Sequence, residues 1–240
     1  FRFGVRVKYE GDIYKFNDLN WPNKKVYAFH ENNASYSFGK GIVKRVKDLE
    51  EAYMLNLIDF SERDIIFDCG ANNGDLNLFF DFYKIKIKYF AFEPSPIEYE
   101  VLKRNIYPHM AYNIGLWKET GYINFYVSSQ SADSSFIEPV NYEKILKIKA
   151  ETLSSYVSNE KIKLLKLEAE GAEPEILMGL SKKLENIEYI SADLGYERGK
   201  SKESTLVAVT NYLLNRNFEL LEVSPIRLCA LYKNKIFKTK

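Results

Sequence analysis

The sequence predicts an α/β fold: a mostly parallel sheet with an antiparallel C-terminal edge, plus a small β-rich N-terminal extension. Three observations carry this. From Asp64 onwards, short apolar runs alternate with segments of helical periodicity, the pattern of repeated strand–helix–strand units. The last two apolar runs, "FELLEV" and "LCALYKN", are separated only by a turn around Pro225, which predicts an antiparallel pair at the sheet edge. The opening stretch "FRFGVRVKYEGDIYKF" alternates apolar and polar residues, with Phe1, Phe3, Val5 and Val7 on one face and "EGD" as a turn, so it reads as a hairpin.

Taken in order, a further short strand, "KVYAF", follows Pro22, and "HENNAS" after it is turn-like. The β-rich extension is therefore assigned to residues 1–47 and the α/β domain to residues 48–240. Asp48 is placed to cap a helix whose apolar positions include Leu49, Ala52, Tyr53 and Leu57. "DIIFDC" is a strand, "GDLNLFFDFY" a helix, "KYFAFE" a strand and "PIEYEVLKRNI" a helix. "AYNIGLW" is a short strand, and "GYINFYVS" alternates its faces. "IKLLKLEAE" is a strand and "PEILMGLSKKLEN" a helix with Ile176, Leu177, Leu180 and Leu184 on one side. "IEYISADL" and "STLVAVTNYLLNR" repeat the unit before the final pair. The polar β-extension has an apolar face that needs a partner, so it is expected to cover the mouth of the site or to build a subunit interface in a homo-oligomer.

Composition narrows the classes. The 240 residues carry a formal net charge of +1, which gives no global attraction to nucleic acid or acidic membranes. Hydrophobic residues make up 46% and charged residues 28%, the balance of an ordinary globular protein. Cys69 and Cys229 lie far apart without a CxxC, which argues against a zinc site or a disulfide framework and fits a reducing, cytoplasmic compartment. No apolar run is long enough for a membrane span. The chain opens on Phe1 rather than Met, so upstream sequence, such as a further fused domain, is expected.

The chemistry concentrates at "IIFDCGANNGDLNLFF". In open α/β sheets ligands bind beyond the carboxyl ends of the strands, and "DCGANNG" falls at such an end. Gly70 and Gly74 permit a tight turn and close approach of backbone to a ligand. Their G-x-x-x-G spacing matches neither the dinucleotide fingerprint nor a phosphate-binding P-loop. The next strand ends in Glu93, placed for two hydrogen bonds to ribose hydroxyls. Free ribose hydroxyls are common to NAD and S-adenosylmethionine (SAM). SAM carries no phosphate, and carboxylates such as Asp68 suit its ammonium and sulfonium charges.

At this point the chain resembles the FkbM-type SAM-dependent methyltransferases. "IIFDCGANNGDLNLFF", "YFAFEPSP", "NIGL" and "LLKLEAEGAEPEIL" occur in the order and spacing of that family, over about residues 41 to 195. The resemblance implies the class I methyltransferase (Rossmann-like) sheet, SAM as cofactor, and O-methylation of a sugar, glycan precursor or related natural product. In the family a Lys-hydrophobic-Asp-hydrophobic-Glu-Gly pattern is usual. Here "KLEAEG" has Glu168 at the Asp position, one methylene longer, with Ala169 after it.

A sugar hydroxyl is a weak nucleophile and calls for a base within hydrogen-bond reach. Of the two histidines, His109 lies in a loop after a helix and His30 in the extension, so the carboxylates Glu168 and Glu170 are the stronger catalytic candidates. If the strand runs through them, both point to one side, with Lys166 on the Glu168 face and Glu173 placed to cap the next helix. A Mg²⁺ site of Glu168, Glu170 and Asp193 ranks below a metal-free site. The cofactor-binding candidates are Asp68, Gly70, Asn72, Gly74, Glu93, Asn113 (towards the adenine) and Ser134, the last in "SSQSADSSFIEP" beside Asp133 and Ser135 in a lid-like loop. The competing classes are an NAD-dependent oxidoreductase or epimerase, and a non-catalytic binding domain that keeps the methyltransferase shape.

Overall fold

The computed structural model describes residues 4–128 and 134–237, and side chains except those of residues 31–34. Three strands come first: β1 (Val5–Glu10), β2 (Ile13–Asp18) and β3 (Trp21–Ala28), an antiparallel meander. Helices α1 (Glu31–Phe38) and α2 (Ile42–Ala52) follow. The α/β part then runs β4 (Ile65–Cys69), α3 (Asn77–Tyr83), β5 (Lys88–Phe92), α4 (Pro96–Ile106) and β6 (Met110–Tyr112). A three-stranded insertion comprises β7 (Gly115–Leu116), β8 (Gly121–Val127) and β9 (Lys144–Glu151). The chain closes with β10 (Ile162–Leu167), α5 (Glu173–Leu180), β11 (Ile187–Asp193), α6 (Leu206–Leu214), β12 (Phe218–Val223) and β13 (Cys229–Asn234).

The central sheet has seven strands in the order β12-β13-β11-β10-β4-β5-β6. β11, β10, β4, β5 and β6 pair in parallel, while β13 runs antiparallel to both β11 and β12. Strand order reverses between β4 and β10, and that switch point is where open α/β sheets bind ligands. Both faces are covered. Ile66 of β4 packs with Leu49 of α2, Phe79 of α3 and Leu102 of α4. Ile65, Phe67 and Cys69 face the other way, towards Leu177 of α5 and Leu213 of α6. Each such buried side chain contributes about 1.5–3 kcal/mol. The period-2 alternation also places Asp68 on the Ile66 side, and Lys166 on the same side of the neighbouring strand.

Several boundaries differ from the sequence reading. "HENNAS" belongs to helix α1 rather than a turn, because Phe38 drops fully into the core shared with α2 and the meander. Helix α2 starts at Ile42, and Asp48 lies inside it, paired with Lys44 one turn back, so Asp48 is not its cap. "AYNIGLW" splits into β6 and β7, and β9 is a strand that the sequence reading does not include. Phe1 and Phe3 lie outside the described residues. Of the face they were assigned to, Val5 is buried but Val7 is 52% exposed, since β1 is the outer strand and the meander packs through Phe16, Val26 and Ala28. Those residues join the same core as Ile66 and Phe79, so the extension shares the hydrophobic core of the main sheet. Among the described residues, no helix is long and apolar enough to cross a membrane.

Candidate active site

A cavity of about 530 Å³ opens at the carboxyl ends of β4, β5 and β10, within the range of small-molecule sites. Its floor is the turn after β4. Gly70 takes φ +71°, and a Cβ there would stand 1.7 Å from the Glu168 carbonyl oxygen, so only glycine lets β4 and β10 meet at this point. The Gly70 and Ala71 N–H groups both donate to the Phe92 carbonyl (3.0 Å each), which ties the turn to β5. Asn72, also left-handed, donates its N–H to Glu93 Oε2 (2.8 Å), and Ser95 N–H donates to Glu93 Oε1 (2.9 Å). Glu93 is thus oriented by two backbone donors in the cavity wall. Burial, reinforced by the Glu98 carboxylate, pushes its carboxyl up to about 8.

Behind the floor lies a chain of buried charges. Lys166 donates to the Gly70 carbonyl (2.8 Å) and pairs with Asp68 Oδ1 (3.0 Å) and Glu168 Oε2 (3.2 Å). Tyr89 donates to Asp68 from the far side. Tyr53 donates to Glu168 Oε2 (2.6 Å), and Arg227, just before β13, pairs with Glu168 Oε1 and with Asp193 Oδ2. Burial raises the Glu168 carboxyl, but Lys166, Arg227 and the Tyr53 hydroxyl outweigh it and hold the group down at about 2. Burial pushes Asp68 up, with Lys166 and Tyr89 opposing.

The sequence candidates divide on this geometry. Gly70, Asn72, Glu93, Ser134, Glu168 and Glu170 line the cavity. Asp68 does not: it is buried behind the wall, where alternation along β4 turns it towards Lys166 and Tyr89. Gly74 does not either. Its missing Cβ makes room for Ile106 and Leu102 of α4 (2.5 and 2.7 Å), so it packs a helix against the turn. Asn113 spends its amide on the Glu93 and Pro94 carbonyls (2.9 and 3.1 Å) and braces the Glu93 turn, while Ile114 next to it reaches the cavity. Glu168 and Glu170 do not share a strand face, because β10 ends at Leu167 and Glu170 takes φ +50° in the turn that follows. Glu173 accepts from Ala169 and Gly171 N–H (2.8 and 3.2 Å) and from the Thr205 hydroxyl (3.0 Å), so it secures that turn instead of capping α5. Asp133 lies outside the described residues. Ser135 Oγ donates to the Glu170 carbonyl (2.8 Å), fixing the end of the serine-rich loop to the cavity rim.

Sequence reasoning missed Arg45, Asp75, Glu197 and Arg227, all cavity-lining. Arg45 of α2 places Nε and Nη2 on Asp75 Oδ2 (2.6 and 2.5 Å), leaving Nη1 and Oδ1 without a partner among the described residues. His30 sits 2.7 Å from Glu98, whose side chain lines the cavity, and Tyr36 and Ser37 of α1 form part of its rim. The extension therefore does reach the mouth of the site. Among the described residues, no group of three His, Cys, Asp or Glu side chains is arranged to hold a metal ion. Between Glu168 and Asp193 the cation present is the Arg227 guanidinium.

A sequence model of the methyltransferase FkbM domain matches residues 68–220. The chain belongs to this family. Membership makes SAM the methyl donor, and the cavity fits it on one structural ground: a buried carboxylate, Glu93, fixed in its wall by two backbone donors at the carboxyl end of β5. No curated protein matches the chain. Among solved structures the chain is similar to a SAM-dependent methyltransferase from Aquifex aeolicus (10% identity, TM-score 0.46, 79% of this chain and 96% of that one). It is also similar to a TehB-like SAM-dependent methyltransferase from Corynebacterium glutamicum (12%, 0.43, 85% and 100%). A third is TrmK of M. capricolum, solved with S-adenosylhomocysteine (SAH) (9%, 0.42, 80% and 67%).

Proposed function

We propose that this FkbM-family protein is an O-methyltransferase acting on a hydroxyl of an uncharged sugar unit in a glycan, glycan precursor or related natural product. When bound, SAM supplies a methyl group on an already activated sulfonium leaving group. The chain's own residues then have three tasks. Glu93 would hold the ribose, and the Gly70–Asn72 turn, which lines the cavity beside it, would support the cofactor. The Arg45–Asp75 pair in the cavity wall carries one cation and one anion, charges complementary to an α-amino-acid end. Phe92 and Ile114 would give an apolar wall for the adenine, and Ser134 lines the same cavity.

The observation that carries the acceptor class is the charge of the remaining half of the cavity. Glu168, Glu170 and Glu197 line it, and the two cations beside them are already engaged, Lys166 by Asp68 and Glu168, and Arg227 by Glu168 and Asp193. Such a surface repels phosphate and accepts neutral hydroxyls. Tyr36, 85% exposed at the mouth, offers an aromatic face for the apolar side of a sugar ring. The test is methyl transfer from labelled SAM to neutral methyl glycosides (hexose, deoxyhexose and hexosamine), set against the same sugars as phosphates and as nucleotide sugars, with products read by mass spectrometry. Transfer to neutral glycosides, weaker or absent with the phosphorylated forms, is expected. Transfer confined to phosphorylated sugars would contradict the charge reading. Tight SAH binding with no transfer to any hydroxyl would favour a non-catalytic binding domain.

A further inference from the structure

We propose that Glu197, rather than Glu168, is the residue that takes the proton from the acceptor hydroxyl. This rests on the O-methyltransferase reading above and names the residue that serves it. Glu197 stands in the loop between β11 and α6, in the cavity wall, with its side chain 32% exposed. The loop is held firmly. Arg198 grips Glu175 with two hydrogen bonds (2.9 and 2.7 Å) and donates to the Gly171 carbonyl. Its backbone exchanges two bonds with Glu203 (3.2 and 3.1 Å). Gly171 is glycine because a Cβ would stand 2.6 Å from Arg198 Cα. A residue on a loop so fixed is pre-oriented, as an acid–base group must be.

The two carboxylates differ in what their oxygens already do. Glu168 is occupied by Tyr53, Lys166 and Arg227, which leaves little capacity for a substrate hydroxyl. Glu197 accepts no hydrogen bond among the described residues, and its nearest cation is Arg227 Nη2 at 4.0 Å. Its oxygens are therefore the ones available to an incoming O–H. The groups facing it are Asp193 from β11, Glu168 from the turn after β10, Glu173 from α5 and Arg227 from the approach to β13. Burial and the first two carboxylates push the Glu197 carboxyl up, Arg227 opposing, whereas Glu168 is held far below neutrality. A base works best with a pKa near the working pH, which separates the two residues in favour of Glu197. In the step itself the acceptor oxygen forms a bond to the methyl carbon as the carbon–sulfur bond breaks, its electron pair leaving with sulfur. The hydroxyl proton passes to a Glu197 oxygen and is later lost to water.

Two measurements on the full chain test this. The first needs no acceptor: carboxyl ¹³C NMR titration of the SAH complex, with Glu197 assigned by its loss in Glu197→Gln. Glu197 is expected to titrate clearly above the ordinary glutamate value of about 4.3, and Glu168→Gln is expected to lower it by removing a facing charge. Titration at the ordinary value, unmoved by Glu168→Gln, overturns the assignment. The second is turnover on the neutral methyl glycosides. Glu197→Gln is expected to lower it about 10²–10⁴-fold with SAH affinity unchanged, and to remove the fall in rate towards acid pH seen in the unaltered protein. A rate within about threefold, or a parallel loss of SAH affinity, overturns it. If the unaltered protein methylates no glycoside, the acceptor class fails, and Glu197 stands or falls on the titration.

Discussion

Gly70→Ala is expected to lower stability by about 2–5 kcal/mol and to abolish cofactor binding in whatever fraction folds. The cost has two parts: about 1–2 kcal/mol for a Cβ in the left-handed region, and about 1–3 kcal/mol for overpacking. The second part falls at its upper end here, because the atom met at 1.7 Å is a backbone carbonyl of Glu168, which cannot swing aside as a side chain could. Relief requires β4 and β10 to part at their carboxyl ends, where Glu168 N–H donates to the Cys69 carbonyl (3.1 Å) and Lys166 donates to the Gly70 carbonyl (2.8 Å). Gly121→Ala is the matched control, since a Cβ there meets nothing within 4 Å. Thermal melts and SAH titrations of the two variants make the comparison. A Gly70→Ala protein as stable as Gly121→Ala, binding SAH normally, would refute the close approach of the two strands.

Lys166→Met keeps the length of the side chain and removes its charge. It is expected to destabilise the protein by about 3–5 kcal/mol, the cost of leaving a buried charge without its partner. Asp68 suffers most, because Lys166 is its ion-pair partner, whereas Glu168 retains Arg227. The loss should depend on pH. Burial already pushes the Asp68 carboxyl above its ordinary value, so the folded state binds a proton more readily than the unfolded chain. Removing Lys166 widens that difference, and the variant is expected to lose further stability as pH rises and to approach the unaltered protein as pH falls and Asp68 becomes neutral. Urea denaturation at pH 5 and pH 8 measures this. Equal destabilisation at both pH values would mean that Asp68 does not carry the effect.

What the sequence made legible was mostly what local periodicity controls. Helix α4 was read at its observed bounds, from Pro96 at its first turn to Ile106, and the β12–β13 pair followed from the short turn at Pro225. Failures came where distant residues decide the outcome. The alternation in "LKLEAEG" predicts a strand through Glu170, but β10 ends at Leu167 and the chain turns with positive φ at Glu170 and Gly171. Asp68 looked like a ligand-facing carboxylate because it begins the glycine motif. Its parallel register opposite Lys166, 98 positions later, turns it into a buried ion pair, and no local spacing announces that. Arg45, Glu197 and Arg227 reach the cavity from α2, from the loop after β11 and from the approach to β13. They meet only through the sheet order.

The central claim is that Glu93 clamps the ribose of SAM in this cavity, and calorimetric titration with SAH tests it most directly. Ribose hydroxyls donate to the carboxylate, so binding favours the ionised form of a group pushed up to about 8. Binding near pH 7 should therefore release a proton, seen as a dependence of the apparent heat on buffer ionisation enthalpy, and affinity should rise as pH approaches 8. Glu93→Ala should abolish the proton release and weaken binding by about 1.5–3 kcal/mol, the range for hydrogen bonds to a charged group. NAD should give no comparable heat. SAH binding that is unchanged in a folded Glu93→Ala variant, or NAD binding as tightly as SAH, would contradict it.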